Sequence, residues 1–294
     1  MATQVSRTAS VPLVGAHMSI AGGVWRAFER GRAVGANCLQ VFVKSNVQWR
    51  FPELTAEDVR RFRKEQARTH IRPAIAHACY LVNPASPDGA LWRRSVEDLR
   101  KELEYAARYG IHWLVLHPGN HTGSGAATGV ERAARAIREA LGAVDGAGIL
   151  VETTSGAGTA VGSTCEEIAS IIEKAGGGRR LGVCLDTSHV FAAGYDISTE
   201  EGYGRTKEAL RRTGMLSRVK AIHANDSKAP AGSHIDRHEH IGHGRIGVEG
   251  FRRLMLDGDF ARVPKILETP KGMRGKQNWD SVSIALLRRL AARG

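Results

Sequence analysis

Eight short apolar, β-rich runs recur along the chain, and amphipathic stretches separate them. The runs are VPLVGAH (11–17), CLQVFV (38–43), RPAIAHA (72–78), WLVLHPG (113–119), ILVETT (149–154), LGVCLDTSH (181–189), VKAIHAND (219–226) and VPKILETP (263–270). Segments between them, such as TAEDVRRFRKEQART (55–69) and WRRSVEDLRKELEYAARYG (92–110), repeat apolar residues three and four positions apart. That is the period of a helix with one buried face. Near-continuous apolar strands that alternate with such helices specify a parallel sheet covered by helices. Eight units in 294 residues suit an α/β (β/α)8 barrel, with a doubly wound open sheet as the alternative. No linker or low-complexity block divides the chain, so residues 11–294 are read as one barrel domain behind a flexible tail, residues 1–10.

The formal charge is +12, with a pI near 10.0. Such an excess favours a polyanionic partner, nucleic acid before an anionic membrane surface. Cys38, Cys79, Cys165 and Cys184 form no C-x-x-C pair, which argues against a thiolate zinc ribbon. No signal peptide and no long apolar stretch is legible, so a cytoplasmic protein without a membrane partner is expected.

The ends of the apolar runs share a pattern. They carry His17, Lys44, His77, His117, Glu152, Asp186 with His189, His223 with Asp226, and Glu268. In a barrel, all strand C-termini open onto one face, so residues scattered over the chain converge on one site. A lone histidine is most often an ordinary hydrogen-bonded residue. Its recurrence with Asp and Glu at successive strand ends points instead to a metal centre. A His/Asp/Glu donor set without Cys suits zinc, manganese or iron in a hydrolytic or Lewis-acid role. The stretch SHIDRHEHIGHG (233–244) adds four of the chain's 12 histidines. GHGRIG (242–247) matches a dinucleotide fingerprint, but it does not directly follow an apolar strand and is set aside. Glu102, Glu104 and the runs RRFRK and RRLAAR read as solvated helix faces.

Three segments carry a family resemblance: HACYLVNPA (77–85), GVCLDTSHVFAAGYD (182–196) and HANDSKAPAGSHIDRHEHIGHGRIG (223–247). GAHMSIAGG (15–23), HPGNHTG (117–123), LVETTSGAG (150–158) and KILETPKG (265–272) support it. Over nearly its whole length the chain resembles endonuclease IV, the zinc-dependent apurinic/apyrimidinic endonuclease family. The resemblance implies a xylose-isomerase-like barrel with three zinc ions, with Mn2+ an option at some sites. One zinc would take His77, His117 and Glu152. A second would share Glu152 and add Asp186, His223 and Glu268. The third would take His189, Asp236 and His238. Four carboxylates in one pocket need cations to stay ionised together. Bound metal lowers the pKa of water to about 7 and can clamp the oxygens of an in-line displacement. Glu152 is the catalytic candidate that helps deprotonate the nucleophile.

The implied reaction is hydrolysis of the phosphodiester bond 5′ to an abasic site, leaving a 3′-hydroxyl and a 5′-deoxyribose phosphate. Trimming of blocked 3′ ends would use the same chemistry. The implied partner is damaged double-stranded DNA, met by a monomer in the cytoplasm at the nucleoid. The resemblance places Tyr80 and Leu81 as a wedge that holds the gap beside the lesion. Val47 stands where the family commonly has arginine, with Arg50 the candidate to substitute. His17, Lys44, Arg50, His121, Lys228, Arg237, Lys271 and Arg274 are candidates for DNA contacts. His234, His240 and His243 are read as phosphate-facing or structural. A metal-dependent sugar isomerase of the same barrel class and a non-catalytic damaged-DNA binding protein are the alternatives.

Overall fold

A computed structural model describes residues 11–292. Eight parallel strands form its centre: β1 (Val14–His17), β2 (Cys38–Phe42), β3 (Ala74–His77), β4 (Trp113–Leu116), β5 (Gly148–Glu152), β6 (Leu181–Asp186), β7 (Val219–His223) and β8 (Lys265–Leu267). They close in the order β1-β8-β7-β6-β5-β4-β3-β2. Each is followed by a helix that covers the outside. α1 (Arg26–Ala33), α2 (Ala56–Thr69), α3 (Gly89–Tyr109), α4 (Ala126–Ala143) and α5 (Cys165–Lys174) come first. α6 (Thr187–Ala192), α7 (Glu200–Arg212), α8 (Gly247–Leu256) and α9 (Trp279–Ala291) complete the ring. The closed ring is the barrel alternative, not the open sheet. The tail read at residues 1–10 lies outside the described residues.

The helices form where the sequence encodes their ends. Thr55 accepts from the Asp58 amide, and the Asp58 carboxylate returns the bond to Thr55, a capping box that starts α2. Asp88 caps α3, and Gly110 at φ 82° ends it in the left-handed region that glycine tolerates.

Strand geometry sets what lies inside the ring. Successive side chains point to opposite faces, so residues two apart share the interior. Cys38, Ile75, Val115, Leu150, Cys184, Ala221 and Ile266, one from each of β2 to β8, form a buried apolar layer. Two positions further along each strand stand Gln40, His77, His117, Glu152, Asp186, His223 and Glu268. β1 follows the same rule with Gly15 below His17. A Cβ on Gly15 would lie 1.8 Å from the Cys38 carbonyl oxygen, so β1 and β2 approach there only because the residue is glycine.

The loop after β7 is pinned from below. The Asp226 carboxylate, fully buried, accepts from the amides of Ser227 (2.8 Å), Gly242 (2.9 Å), Gly244 (3.0 Å), Ile246 (2.9 Å) and Gly247 (3.3 Å). The GHGRIG loop therefore is an anion cradle, and the anion it cradles is the protein's own aspartate. A Cβ on Gly244 would fall 2.5 Å from Asp226 Oδ1. The cradle closes the base of the segment that carries Asp236 and His238.

Both contacts can be tested through stability. Gly15→Ala forces the β1–β2 pair apart and is expected to lower the unfolding free energy by about 3 kcal/mol or more, read from urea denaturation. Asp226→Asn presents an amide to a ring of donors and leaves some of them buried and unpaired. A loss of about 3 kcal/mol is expected, with faster hydrogen exchange confined to residues 227–247.

Candidate metal centre

Glu152 is at the middle of the polar layer, with no solvent exposure. Its Oε2 lies 3.2 Å from His77 Nε2 and 3.1 Å from His117 Nε2. Its Oε1 lies 2.9 Å from His223 Nδ1 and 3.5 Å from His189 Nδ1. The sequence run through 189 does not continue as strand. Asp186 ends β6 and caps α6, accepting from the His189 amide at 2.9 Å, which swings the His189 ring over the site. Glu268 Oε2 approaches His223 Nδ1 at 3.2 Å. Asp236 bridges two rings, with Oδ2 3.2 Å from His189 Nε2 and Oδ1 3.3 Å from His238 Nε2.

These contacts bring all nine ligand candidates of the sequence together. Among the described residues, three groups have mutually close donor atoms, each within 4.8 Å: His77/His117/Glu152, Glu152/Asp186/His223/Glu268, and Asp186/His189/His238. The third group pairs the two imidazoles with Asp186, and Asp236 also lies within 3.3 Å of both rings.

The imidazoles are oriented as metal ligands must be. A ligating histidine ties one ring nitrogen to an acceptor, which fixes the tautomer and leaves the other lone pair free. His77 Nδ1 donates to the Ala78 carbonyl (2.8 Å), His189 Nδ1 to Thr153 (2.8 Å) and His238 Nδ1 to Glu268 (3.3 Å). His238 Nε2 is buried and, among the described residues, makes no hydrogen bond, with Asp236 Oδ1 3.3 Å away as an ion-pair neighbour. Hard carboxylates with imidazoles, arranged this way, fit divalent cations, which take the rings in their neutral form.

Charge within the cluster is mutually supported. Burial works to raise the Glu152 pKa, and the imidazoles of His117 and His223 outweigh it, holding the carboxyl well below its usual range. Glu268 behaves alike, with burial overcome chiefly by His223 and His17. Burial pushes His189 toward neutrality, and Asp186, Asp236 and Glu152 overcome it, raising its pKa well above the ordinary value.

Gln40 has no counterpart among the sequence candidates. It is fully buried and touches His17, His223 and Glu268. The signal that could have found it is the two-residue step from Cys38, the same step that leads to a ligand on six other strands.

The DNA-contact candidates divide. Lys44 is corrected: it is buried, paired to Asp98 at 3.1 Å, and donates to the Gln48 carbonyl at 2.6 Å. Its ammonium also lies over the Phe51 ring, so it braces the loop after β2 from inside and offers no phosphate contact. Glu102 is corrected too. It is fully buried, and burial holds its pKa well above the ordinary range while it accepts from the Cys79 amide at 3.0 Å. Glu104 is exposed, as expected. Leu81 is partly buried and packs against the core, whereas Tyr80 stands 59% exposed above the site. The Tyr80 amide donates to Asn46 at 3.1 Å and joins the two loops. His17 is mostly buried, its Nδ1 2.9 Å from Gln40 Nε2 and 3.2 Å from Glu268 Oε1, so it belongs to the polar layer at the edge of the cavity.

Arg50 and Arg237 are exposed. Lys271 pairs with Asp280 at 2.8 Å, Lys228 lies 3.7 Å from Glu239, and His121 Nδ1 accepts from Gly123 and Gly125. His240 stacks on Trp279 at 3.9 Å and His243 meets its edge, with Arg274 on the same ring. His234 Nδ1 donates to the Ser155 carbonyl. A cavity of about 730 Å3 opens beside the cluster, lined by His17, Asn46, Tyr80, Glu268 and Lys271 among others.

The AP endonuclease 2 family, described as a xylose isomerase-like TIM barrel, matches residues 28–290. A protein of Chloroflexus aurantiacus named probable endonuclease 4 is 46% identical over 284 residues, covering 95% of this chain and 98% of its own. One of Geobacter sulfurreducens with the same name is 44% identical over 282 residues, covering 95% of each. The crystal structure of endonuclease IV from Thermus thermophilus superposes with a TM-score of 0.84 at 38% identity, over 96% of this chain and 100% of the other. A D-tagatose 3-epimerase-like protein shares the fold, with a TM-score of 0.71 at 17% identity, over 95% and 97% of the two chains. Identity at the level of the two endonuclease 4 relatives, spread over nearly the whole of both partners, leaves one reading of the barrel: the chain belongs to the endonuclease IV family.

Proposed function

We propose that the protein is a DNA repair endonuclease that hydrolyses the phosphodiester bond 5′ to abasic sites in double-stranded DNA, leaving a 3′-hydroxyl and a 5′-deoxyribose phosphate. Blocked 3′ ends are trimmed at the same centre. The observation that carries this reading is the convergence of five imidazoles and four carboxylates, each imidazole but His117 held by a hydrogen bond on its far nitrogen. The residues that would hold zinc are His77, His117 and Glu152; Glu152, Asp186, His223 and Glu268; and His189, Asp236 and His238, with Mn2+ able to enter some of these sites. Divalent cations there supply Lewis acidity to the phosphate and hydroxide at neutral pH.

The chain's own groups do the rest. Glu152, kept ionised by its imidazoles, accepts the proton of the attacking water. Tyr80 fills the gap left beside an extruded abasic sugar, as apolar wedges do in bent duplexes. Val47 is 63% exposed at the tip of the neighbouring loop and adds apolar surface there, so Arg50 is the cation of that loop that meets the backbone. Arg237, Lys228 and Lys271 supply further phosphate contacts, in keeping with the net charge of +12. The sugar-isomerase alternative does not explain an open rim with Val47, Tyr80, Ile235 and Met273 all exposed, a surface suited to a large partner. The protein acts as one catalytic domain and as a monomer on its substrate.

An end-labelled duplex with a single synthetic abasic site tests the proposal. A single cut 5′ to the site is expected, lost after prolonged chelation and restored by zinc. An intact duplex in the presence of fully metal-loaded protein overturns it. Glu152→Gln is expected to keep the circular dichroism spectrum and to lose at least about 100-fold in single-turnover cleavage. Near-normal cleavage by that variant removes Glu152 from the proton-accepting role.

A further inference from the structure

Gln40 is an uncharged polar side chain in the middle of β2, fully buried and turned toward the barrel centre. Its Oε1 lies 2.8 Å from His223 Nε2. Its Nε2 lies 2.6 Å from Glu268 Oε1 and 2.9 Å from His17 Nδ1. The two ends of an amide have the same shape, so the neighbours decide which way it points. An ionised carboxylate only accepts hydrogen bonds, so the NH2 end faces Glu268. The amide oxygen is thereby turned to His223. An oxygen there only accepts, so His223 Nε2 carries the ring hydrogen and donates it.

This arrangement fixes both partners. With Nε2 donating to the amide, the nitrogen that His223 turns to the cluster is Nδ1, 2.9 Å from Glu152 Oε1 and 3.2 Å from Glu268 Oε2, and its lone pair is the one a bound cation would take. Glu268 has Oε1 taken by the amide and leaves Oε2 facing the cluster. His223 also differs from its neighbours. His77, His189 and His238 each fix their tautomer through a backbone carbonyl, which no substitution removes. His223 is the ring whose tautomer rests on a side chain, and it is the ring that points Nδ1 rather than Nε2 inward.

We infer that Gln40 is a positioning residue for the group Glu152/Asp186/His223/Glu268: one amide selects the His223 tautomer and holds Glu268 with Oε2 inward. This rests on the metal-centre reading above. Gln40 acts through these two side chains and is fully buried among them, away from the surface that DNA would meet.

The test compares zinc-loaded wild-type protein with Gln40→Leu, which keeps the volume and removes both hydrogen bonds. Metal is counted, its release to a chromophoric chelator is timed, and histidine ring nitrogens are followed by long-range 1H–15N spectra. Supporting partners of this kind alter metal affinity or activity about 10- to 100-fold. One cation is therefore expected to leave the variant about 10- to 100-fold faster while the others keep wild-type rates. The His223 ring is expected to depart from the Nε2–H pattern, and kcat on an abasic duplex to fall with KM unchanged. Wild-type release rates together with an unchanged His223 ring signal in Gln40→Leu overturn the inference. A wild-type protein that retains no cation overturns the metal-centre reading itself, a result visible before any variant is compared. Should the leucine variant fail to fold, Gln40→Asn carries the same readouts, since its amide is one methylene too short to reach both partners.

Discussion

The alternation of side chains along a strand, once the sheet is closed into a ring, is the constraint from which the rest follows. Every second residue of eight strands must point into a space that only side chains can fill. Seven of those places hold the apolar layer from Cys38 to Ile266, and it seals the barrel from below. The next inward place on each strand then sits on a dry floor, beneath loops that limit water from above. Charges placed there cannot rely on solvent, so they rely on one another. Glu152 with His77 and His223 is the arrangement this forces, while Asp236 reaches His189 and His238 from a half-exposed loop position. A layer of acids and imidazoles so arranged is ready for cations for the same reason that it is expensive without them.

The barrel fold is shared with an epimerase-like protein at 17% identity, so the fold alone does not set the function. Function is therefore carried by what stands on the ring and around its rim. Here the rim is open. Tyr80 and Val47 project from adjacent loops joined through the Tyr80 amide and the Asn46 carbonyl. An enclosed sugar needs walls, whereas a bent duplex needs a groove with a wedge in it. Family membership and rim geometry thus point the same way, from independent observations.

Much of this is legible from residue order alone. The eight apolar runs match the eight strands, and strand-end chemistry, a local signal, marks seven of the nine ligand candidates, while Asp236 and His238 are identified as ligands only through the family resemblance. Lys44 is misread because its cation looks like a loop-tip charge. Only the tertiary fold brings Asp98, Gln48 and Phe51 around it and takes it from the surface. Glu102 is misread for a related reason: a carboxylate on a long charged helix reads as solvated, and nothing nearby in sequence announces that its partner is the Cys79 amide of a loop packed over α3. Gln40 is missed because an amide is not a ligand, and its partners His223 and Glu268 lie 183 and 228 residues away.

The buried acids of this face share a physical role. Asp226, Asp186, Glu102 and Asp98 hold backbone amides or a buried lysine beneath the loops of the active face. A carboxylate that accepts main-chain N–H bonds fixes the path of a loop more firmly than apolar packing does, since leaving those donors unpaired is costly. The chain thus uses acids in two ways on one face. Glu152 and Glu268 point inward to the cluster, while Asp226 and Glu102 are turned back into their own backbone. Asp186 serves both, with Oδ1 on the His189 amide and Oδ2 toward His223 and His238. The rigidity of the first kind of site depends on the second, because a ligand on a loop is only as well placed as the loop itself.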